Sequence, residues 1–198
     1  MLEQNLEPSN LSKARHSETG KAQMKSSISP ARKFQFVLIK PSHYGADGYV
    51  IRWWRGMIPS NSLAAVFGVA RDCIDREVLG PDIEIDIEAI DEFSERIDIE
   101  KLIERFKRNG NFGLVALVGV QSNQYPRALD LARPLRAAGI SVAIGGFHVS
   151  GCLSMLDGKA IDLDLCRDMG VSIFAGEIEH CWKIHKKGFP ANALIPPA

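Results

Sequence analysis

The chain has 198 residues, enough for one domain with a real core, and its hydrophobic fraction of 45% and charged fraction of 24% are ordinary for a globular protein. The formal net charge is +0, which gives no electrostatic case for nucleic acid or an anionic membrane. No apolar run approaches the roughly 20 residues of a membrane helix, and the amino-terminal segment lacks the apolar stretch of a signal peptide; the chain is expected in the cytoplasm.

Residues Met1 to Lys33 are rich in Ser, Lys, Glu, Asn and Gln without an apolar period, and read as a disordered extension. Met24 opens a stretch that looks like a complete beginning, so residues 1–23 read as an over-long start or a dispensable tail. Phe34–Lys40, FQFVLIK, is a nearly continuous apolar run stopped by Pro41, which suits a central strand buried on both faces. Pro41–Pro59, PSHYGADGYVIRWWRGMIP, is too irregular for a helix and too aromatic for a flexible linker; loops this long inside compact domains are usually functional.

Ser60 or Asn61 can cap a helix running to about Leu79, with Leu63, Val66, Phe67, Ala70, Cys73 and Ile74 on its apolar face and Gly80-Pro81 ending it. Asp82–Glu88, DIEIDIE, alternates strictly and predicts a half-exposed strand at the sheet edge, where charges discourage unwanted pairing. Asp98 can cap a helix with the stripe Ile99, Leu102, Ile103 and Phe106, closed by Asn109-Gly110. Leu114–Asn123 is a third strand running into small and polar residues. The next helix has Pro126 near its first turn, Ala128, Leu131, Ala132 and Leu135 on one face, Pro134 as a source of a kink, and Gly139 at its end. Val142–Ile144 is a fourth strand, helical segments follow near Val149–Leu156 and Ile161–Met169, and Gly170 introduces VSIFAGE, the fifth strand and its loop.

Strands alternating with helices predict an α/β fold: a Rossmann-like, five-stranded parallel sheet in flavodoxin-like order, 2-1-3-4-5, with helices on both faces. In such sheets ligands bind outside the carboxyl ends of the strands, where the strand order reverses. That point falls between the first and third strands. Its loops are Pro41–Gly48 and Val120–Gln124, with Gly145–His148 beside them. The domain is expected over 34–180, followed by an irregular tail at 181–198.

The cysteines lie at 73, 152, 166 and 181, with no CxxC pair and no CxxxCxxC triplet, so no closely spaced zinc or iron–sulfur motif is encoded. They read as free thiols or small core residues in a reducing compartment.

Four stretches, KPSHYGADGYVIRWWRGMIPSNSLA, LVGVQSNQYPRALDLARPLRAAGI, IGGFHVSGC and IFAGEIE, together resemble the amino-terminal cobalamin-binding domain of cobalamin-dependent radical S-adenosylmethionine proteins. The resemblance covers about Phe34 to Glu179. It implies a Rossmann-like cobalamin module followed by a radical barrel with a CxxxCxxC cluster. Neither barrel nor triplet is within these residues. The ending CWKIHKKGFPANALIPPA reads as a truncation or frameshift. The iron–sulfur cluster and S-adenosylmethionine then belong to a partner barrel, in cis or in trans, and this chain alone is expected to lack radical activity.

The resemblance and the switch point together place cofactor-binding residues at Ser42, His43, Tyr44 and Gly45; at Val120, Gln121 and Ser122; at Gly145, Gly146, Phe147 and His148; and at Gly176 and Glu177. No catalytic and no metal-ligating residue is assigned. His43 lacks the Asp two residues before and the Gly three residues after that mark the DxHxxG cobalt-ligand signature. Each position has a plainer role beside it. Gly145-Gly146 either lets backbone approach the cofactor's tail or simply turns the chain. Ser122 either holds the tail or caps a helix. His43 and His148 are cobalt ligands or merely solvated histidines. Gly176-Glu177 either belongs to the site or starts a helix. Trp53-Trp54, with Tyr44, Tyr49, Arg52 and Arg55, either covers a corrin face, docks on a barrel, or packs on the sheet. Alternative functions are a flavodoxin-like nucleotide or flavin module, against which stands the absence of GxGxxG and GxxxxGK[ST], and a non-binding remnant acting as an interaction domain.

Overall fold

The computed structural model describes residues 32–53, 60–155 and 161–176. Most of the expected disordered extension, Trp54 and Arg55, Glu177 and the 181–198 tail lie outside the described residues.

Ten elements alternate along the chain: β1 (Arg32–Lys40), α1 (Asn61–Asp75), β2 (Ile83–Asp91), α2 (Ile99–Arg108), β3 (Gly113–Leu117), α3 (Tyr125–Ala137), β4 (Ser141–Gly145), α4 (Phe147–Met155), α5 (Ile161–Asp168) and β5 (Ser172–Phe174). The strands form one five-stranded sheet in the order β2-β1-β3-β4-β5, and every pairing is parallel. This is the α/β, Rossmann-like architecture that the sequence predicts. The order reverses between β1 and β3.

β1 is flanked on both sides, which is why Val37, Leu38 and Ile39 are all buried although their side chains alternate in direction. It also starts earlier than its apolar run, because Arg32 and Lys33 pair with Ile83 and Glu84. β2 is the edge strand, with Ile83, Ile85 and Ile87 half-buried and Glu84 and Asp86 exposed. The larger core cluster joins Val37, Ile39, Val115, Leu117, Val142 and Ile144 to side chains of α2 to α5. A smaller cluster seats Leu63 of α1 with Leu38 and Val118. Phe106, Leu131 and Leu135 are fully buried, and each such side chain stabilises the fold by roughly 1.5–3 kcal/mol.

Helix ends follow capping chemistry. Ser60 accepts from the Leu63 amide at 3.3 Å and Asp98 from the Lys101 amide at 3.1 Å. That bond, with the Lys101 side chain beside it, holds the Asp98 carboxyl below its ordinary range. α1 stops at Asp75, short of the expected Leu79. Its C-terminal turn closes through Glu77 N–H to the Ile74 carbonyl at 2.9 Å and Val78 N–H to the Cys73 carbonyl at 3.1 Å. This is the Schellman pairing, with Glu77 in the left-handed region where glycine is usual. α3 carries Pro134, which has no amide to offer the Asp130 carbonyl.

Two boundaries change the site. β3 ends at Leu117, and Gly119 turns the chain earlier than the predicted run to Asn123. α4 begins at Phe147, because the Ser150 amide already bonds the Gly146 carbonyl at 3.0 Å. Phe147 and His148 therefore stand on a helix and not in a loop. Among the described residues, no helix is long and apolar enough to cross a membrane.

Candidate functional site

The carboxyl ends of β1 and β3 are held together by buried polar groups. Lys40 is 8% exposed; its ammonium donates to the Gly119 carbonyl and, at 2.8 Å, to Gln124 Oε1. Gln124 Oε1 also accepts from the Gln121 amide at 3.0 Å, so one amide oxygen fixes the turn after β3 to the end of β1. Burial pulls the Lys40 pKa below its ordinary value, opposed by the charge of Asp91.

Residues 41–53, after β1, are held by their own backbone bonds. Tyr44 and Val50 form an antiparallel bridge, and Gly45 and Gly48 close it through Gly45 N–H to the Tyr49 carbonyl at 2.8 Å and Gly48 N–H to the Gly45 carbonyl at 3.0 Å. Ser42 is fully buried. Its amide donates to Glu92 Oε2 at 3.1 Å and its hydroxyl to the Ile51 carbonyl, so it braces the loop from inside. Glu92, 2% exposed, accepts Arg127 Nε at 3.0 and 3.1 Å on its two oxygens. Tyr44 donates its hydroxyl to Asp130 on α3. Burial, then that bond, pushes its phenol pKa up. The His43 ring leans on Phe93 at 5.6 Å, and its buried Nδ1 has no hydrogen-bond partner among the described residues.

The loops after β3 and β4 lock together. The Val120 amide donates to the Gly145 carbonyl at 3.0 Å, and the His148 amide to the Val120 carbonyl at 3.0 Å. Gly146 has φ +136, and a Cβ there would lie 2.2 Å from the Val120 nitrogen; a Cβ on Gly145 would lie 3.3 Å from Phe174 Cβ. The space that the absent side chains leave is thus filled by the protein's own backbone and Phe174. This differs from the expectation that the glycine pair clears room for a cofactor tail. Gln121 and Ser122 are exposed, as are Phe147 at 78%, Tyr49 at 76% and Trp53 at 64%. Gly176 is exposed and its amide donates to Ser150 Oγ at 3.3 Å.

Beneath this edge lies a cluster assembled from α3, α4 and α5. Tyr125, buried at the start of α3, lays its ring on that of His148 at 4.3 Å. Its hydroxyl donates to the Asp162 carbonyl and sits 3.4 Å from Cys166 Sγ. His148 Nδ1 is 3.2 Å from Ser122 Oγ, and Nε2 is 3.1 Å from Asp162 Oδ2 and 3.8 Å from Cys152 Sγ. Burial raises the thiol pKa values of Cys152 and Cys166 and the phenol pKa of Tyr125.

No family model, curated protein or solved structure matches the chain. Function therefore rests on the site's own chemistry. A cavity of about 490 Å³ is lined by β2, the turn that follows it and α2, including Glu88, Lys101 and Arg105, on the edge-strand side of the sheet. The edge itself offers exposed aromatics, exposed amide and hydroxyl groups, and a rigid polar floor. Both ring nitrogens of His148 have polar neighbours, Ser122 Oγ at Nδ1 and Asp162 Oδ2 at Nε2. The sequence assigns no site role to Lys40, Glu92, Arg127, Tyr125 or Asp162, and reads Cys152 as a free thiol or small core residue. The spacing His148-x-x-x-Cys152 was the available signal, since residues four apart share a helix face; Asp162 comes from a separate helix and carries none.

Proposed function

We propose that this chain is a cobalamin-binding module. The observation that carries the proposal is that the loops after β1 and β3 flank the reversal of strand order at one edge of the sheet, with the loop after β4 beside them. The residues there suit a broad cofactor of mixed polarity. Tyr49, Trp53 and Phe147 offer apolar surface, Gln121 and Ser122 offer polar groups, and His43 Nδ1 is a buried atom without a partner among the described residues. Bound cobalamin supplies cobalt-centred chemistry, and the chain's own residues bind and orient it. A radical barrel, in cis or in trans, is the partner that this proposal implies.

Titration of the purified chain with hydroxocobalamin, followed by visible absorption and equilibrium dialysis, tests it. Saturable binding is expected. Gln121→Trp, a change at an exposed side chain on the edge, should weaken binding by at least about tenfold without changing the far-ultraviolet circular dichroism. No saturable binding by the unaltered chain overturns the proposal. Uptake of flavin in a parallel titration would favour a flavodoxin-like module, and uptake of neither an interaction domain.

A further inference from the structure

We infer that His148, Cys152 and Asp162 bind one divalent cation of the zinc class, at a site for which the cobalamin proposal has no need. The donor atoms of these three residues all lie within 4.8 Å of one another. His148 and Cys152 are four residues apart on α4 and so project from the same face of the helix; α5 brings Asp162 against them. The edges of this triangle measured at His148 are 3.1 Å to the carboxylate and 3.8 Å to the sulfur. Around a tetrahedral zinc with bonds of about 2.0–2.3 Å, neighbouring donor atoms stand roughly 3.3–3.6 Å apart. The His148 edges match this to a few tenths of an ångström. The half-exposed Asp162 carboxylate, with a side-chain exposure of 36%, has the freedom to close the third.

The donor set argues for the class of ion. One imidazole nitrogen, one thiolate and one carboxylate suit zinc and its borderline neighbours, whereas magnesium and calcium take oxygen ligands. The surroundings are those of a ligating histidine. Ser122 Oγ stands 3.2 Å from Nδ1; with the proton on Nδ1 the hydroxyl accepts it, and the Nε2 lone pair then faces Cys152 and Asp162. The Tyr125 ring packs against the imidazole, its centroid 4.3 Å away and its plane tilted by 36°. The site is sheltered but reachable: the His148 side chain is 12% exposed and Cys152 is buried, while Asp162 opens to solvent. Three protein ligands leave a fourth position for water or a substrate atom. Binding is not a redox step. Cys152 ligates as thiolate, so its thiol proton is released to solvent as the sulfur–metal bond forms.

The test uses the full chain, stripped with chelator and without cobalamin, so its outcome is separate from that of the cofactor titration. Zinc is titrated in competition with a chromophoric chelator, and cobalt(II) serves as the spectroscopic probe. One equivalent per chain, a thiolate-to-cobalt charge-transfer band and a rise in Tm with zinc are expected. Cys152→Ser should abolish the band, while Cys73→Ser and Cys181→Ser keep it. Asp162→Asn should weaken zinc binding by more than about tenfold, the loss typical of even an outer-shell partner, with the metal-free Tm unchanged. Absence of the band in the unaltered chain overturns the inference. So does a zinc affinity that is equal in the unaltered chain and in Asp162→Asn, whether or not Cys152→Ser folds.

Discussion

Arg127, on α3, grips Glu92, just past β2, through Nε contacts of 3.0 and 3.1 Å to its two carboxylate oxygens. The acid is 3% and the arginine 18% exposed at the side chain, and the same carboxylate holds the Ser42 amide. A single buried pair thus ties the loop after β1 and the end of β2 to the helix after β3.

Glu92→Leu should therefore lower stability by about 3 kcal/mol, since it strands a buried guanidinium. Arg127→Met introduced alongside should restore part of that loss, because the uncompensated charge is gone. Urea unfolding of both variants measures this. A loss below about 1 kcal/mol in the single variant would show that the pair is not holding the loops.

Gly146→Ala should cost at least about 3 kcal/mol, because its Cβ meets the Val120 nitrogen at 2.2 Å and its φ of +136 is strained for any side chain. Gly145→Ala should cost only about 1 kcal/mol, since Phe174, at the short outer strand, can yield. Thermal melts of the two variants give the comparison, and equal effects would contradict the close approach at Val120.

Replacing Glu77 by Gly should stabilise the chain by about 0.5–1 kcal/mol. The left-handed backbone at φ 49 costs a side-chain-bearing residue roughly 1–2 kcal/mol, and the extra freedom of glycine in the unfolded chain offsets part of the gain. An unchanged or lower Tm would count against the strain.

The cap at Ser60, the stripe on α2 and the edge alternation of β2 were legible because each is a local pattern with one physical solution. The strand order was legible for the same reason: one acidic, alternating strand had to lie at an edge. What stayed hidden depends on contacts between distant segments. Glu92 looks like one surface acid among many until Arg127 meets it across 35 residues. Lys40 ends an apolar run and gives no sign that Gln124 awaits it. The helix after β4 was placed late because Gly146 reads as loop, yet its carbonyl already accepts the first helical bond. His148 was noticed; the carboxylate that defines its chemistry comes from another helix.

Lys40 gives a pH signature. Its pKa is lowered in the folded chain by burial, so between that value and the ordinary 10.5 the unfolded state binds the extra proton. Stability of the unaltered chain relative to Lys40→Met should accordingly rise with pH through that window, and the difference removes the opposing alkaline titrations of tyrosine and cysteine. Urea midpoints of both proteins at neutral and alkaline pH test this. A difference that is flat or falls with pH would mean that Lys40 is not desolvated.

The sheet is unequal along its width. β1 pairs with β2 over nine residues, whereas β5 pairs with β4 over three. Local opening takes the least bonded segments first, so amide hydrogens of β5 and of α4 and α5, which lean on that flank, should exchange with solvent long before those of β1. The His148 cluster is built on this breathing margin. Small solutes should therefore exchange there while the central strands stay closed.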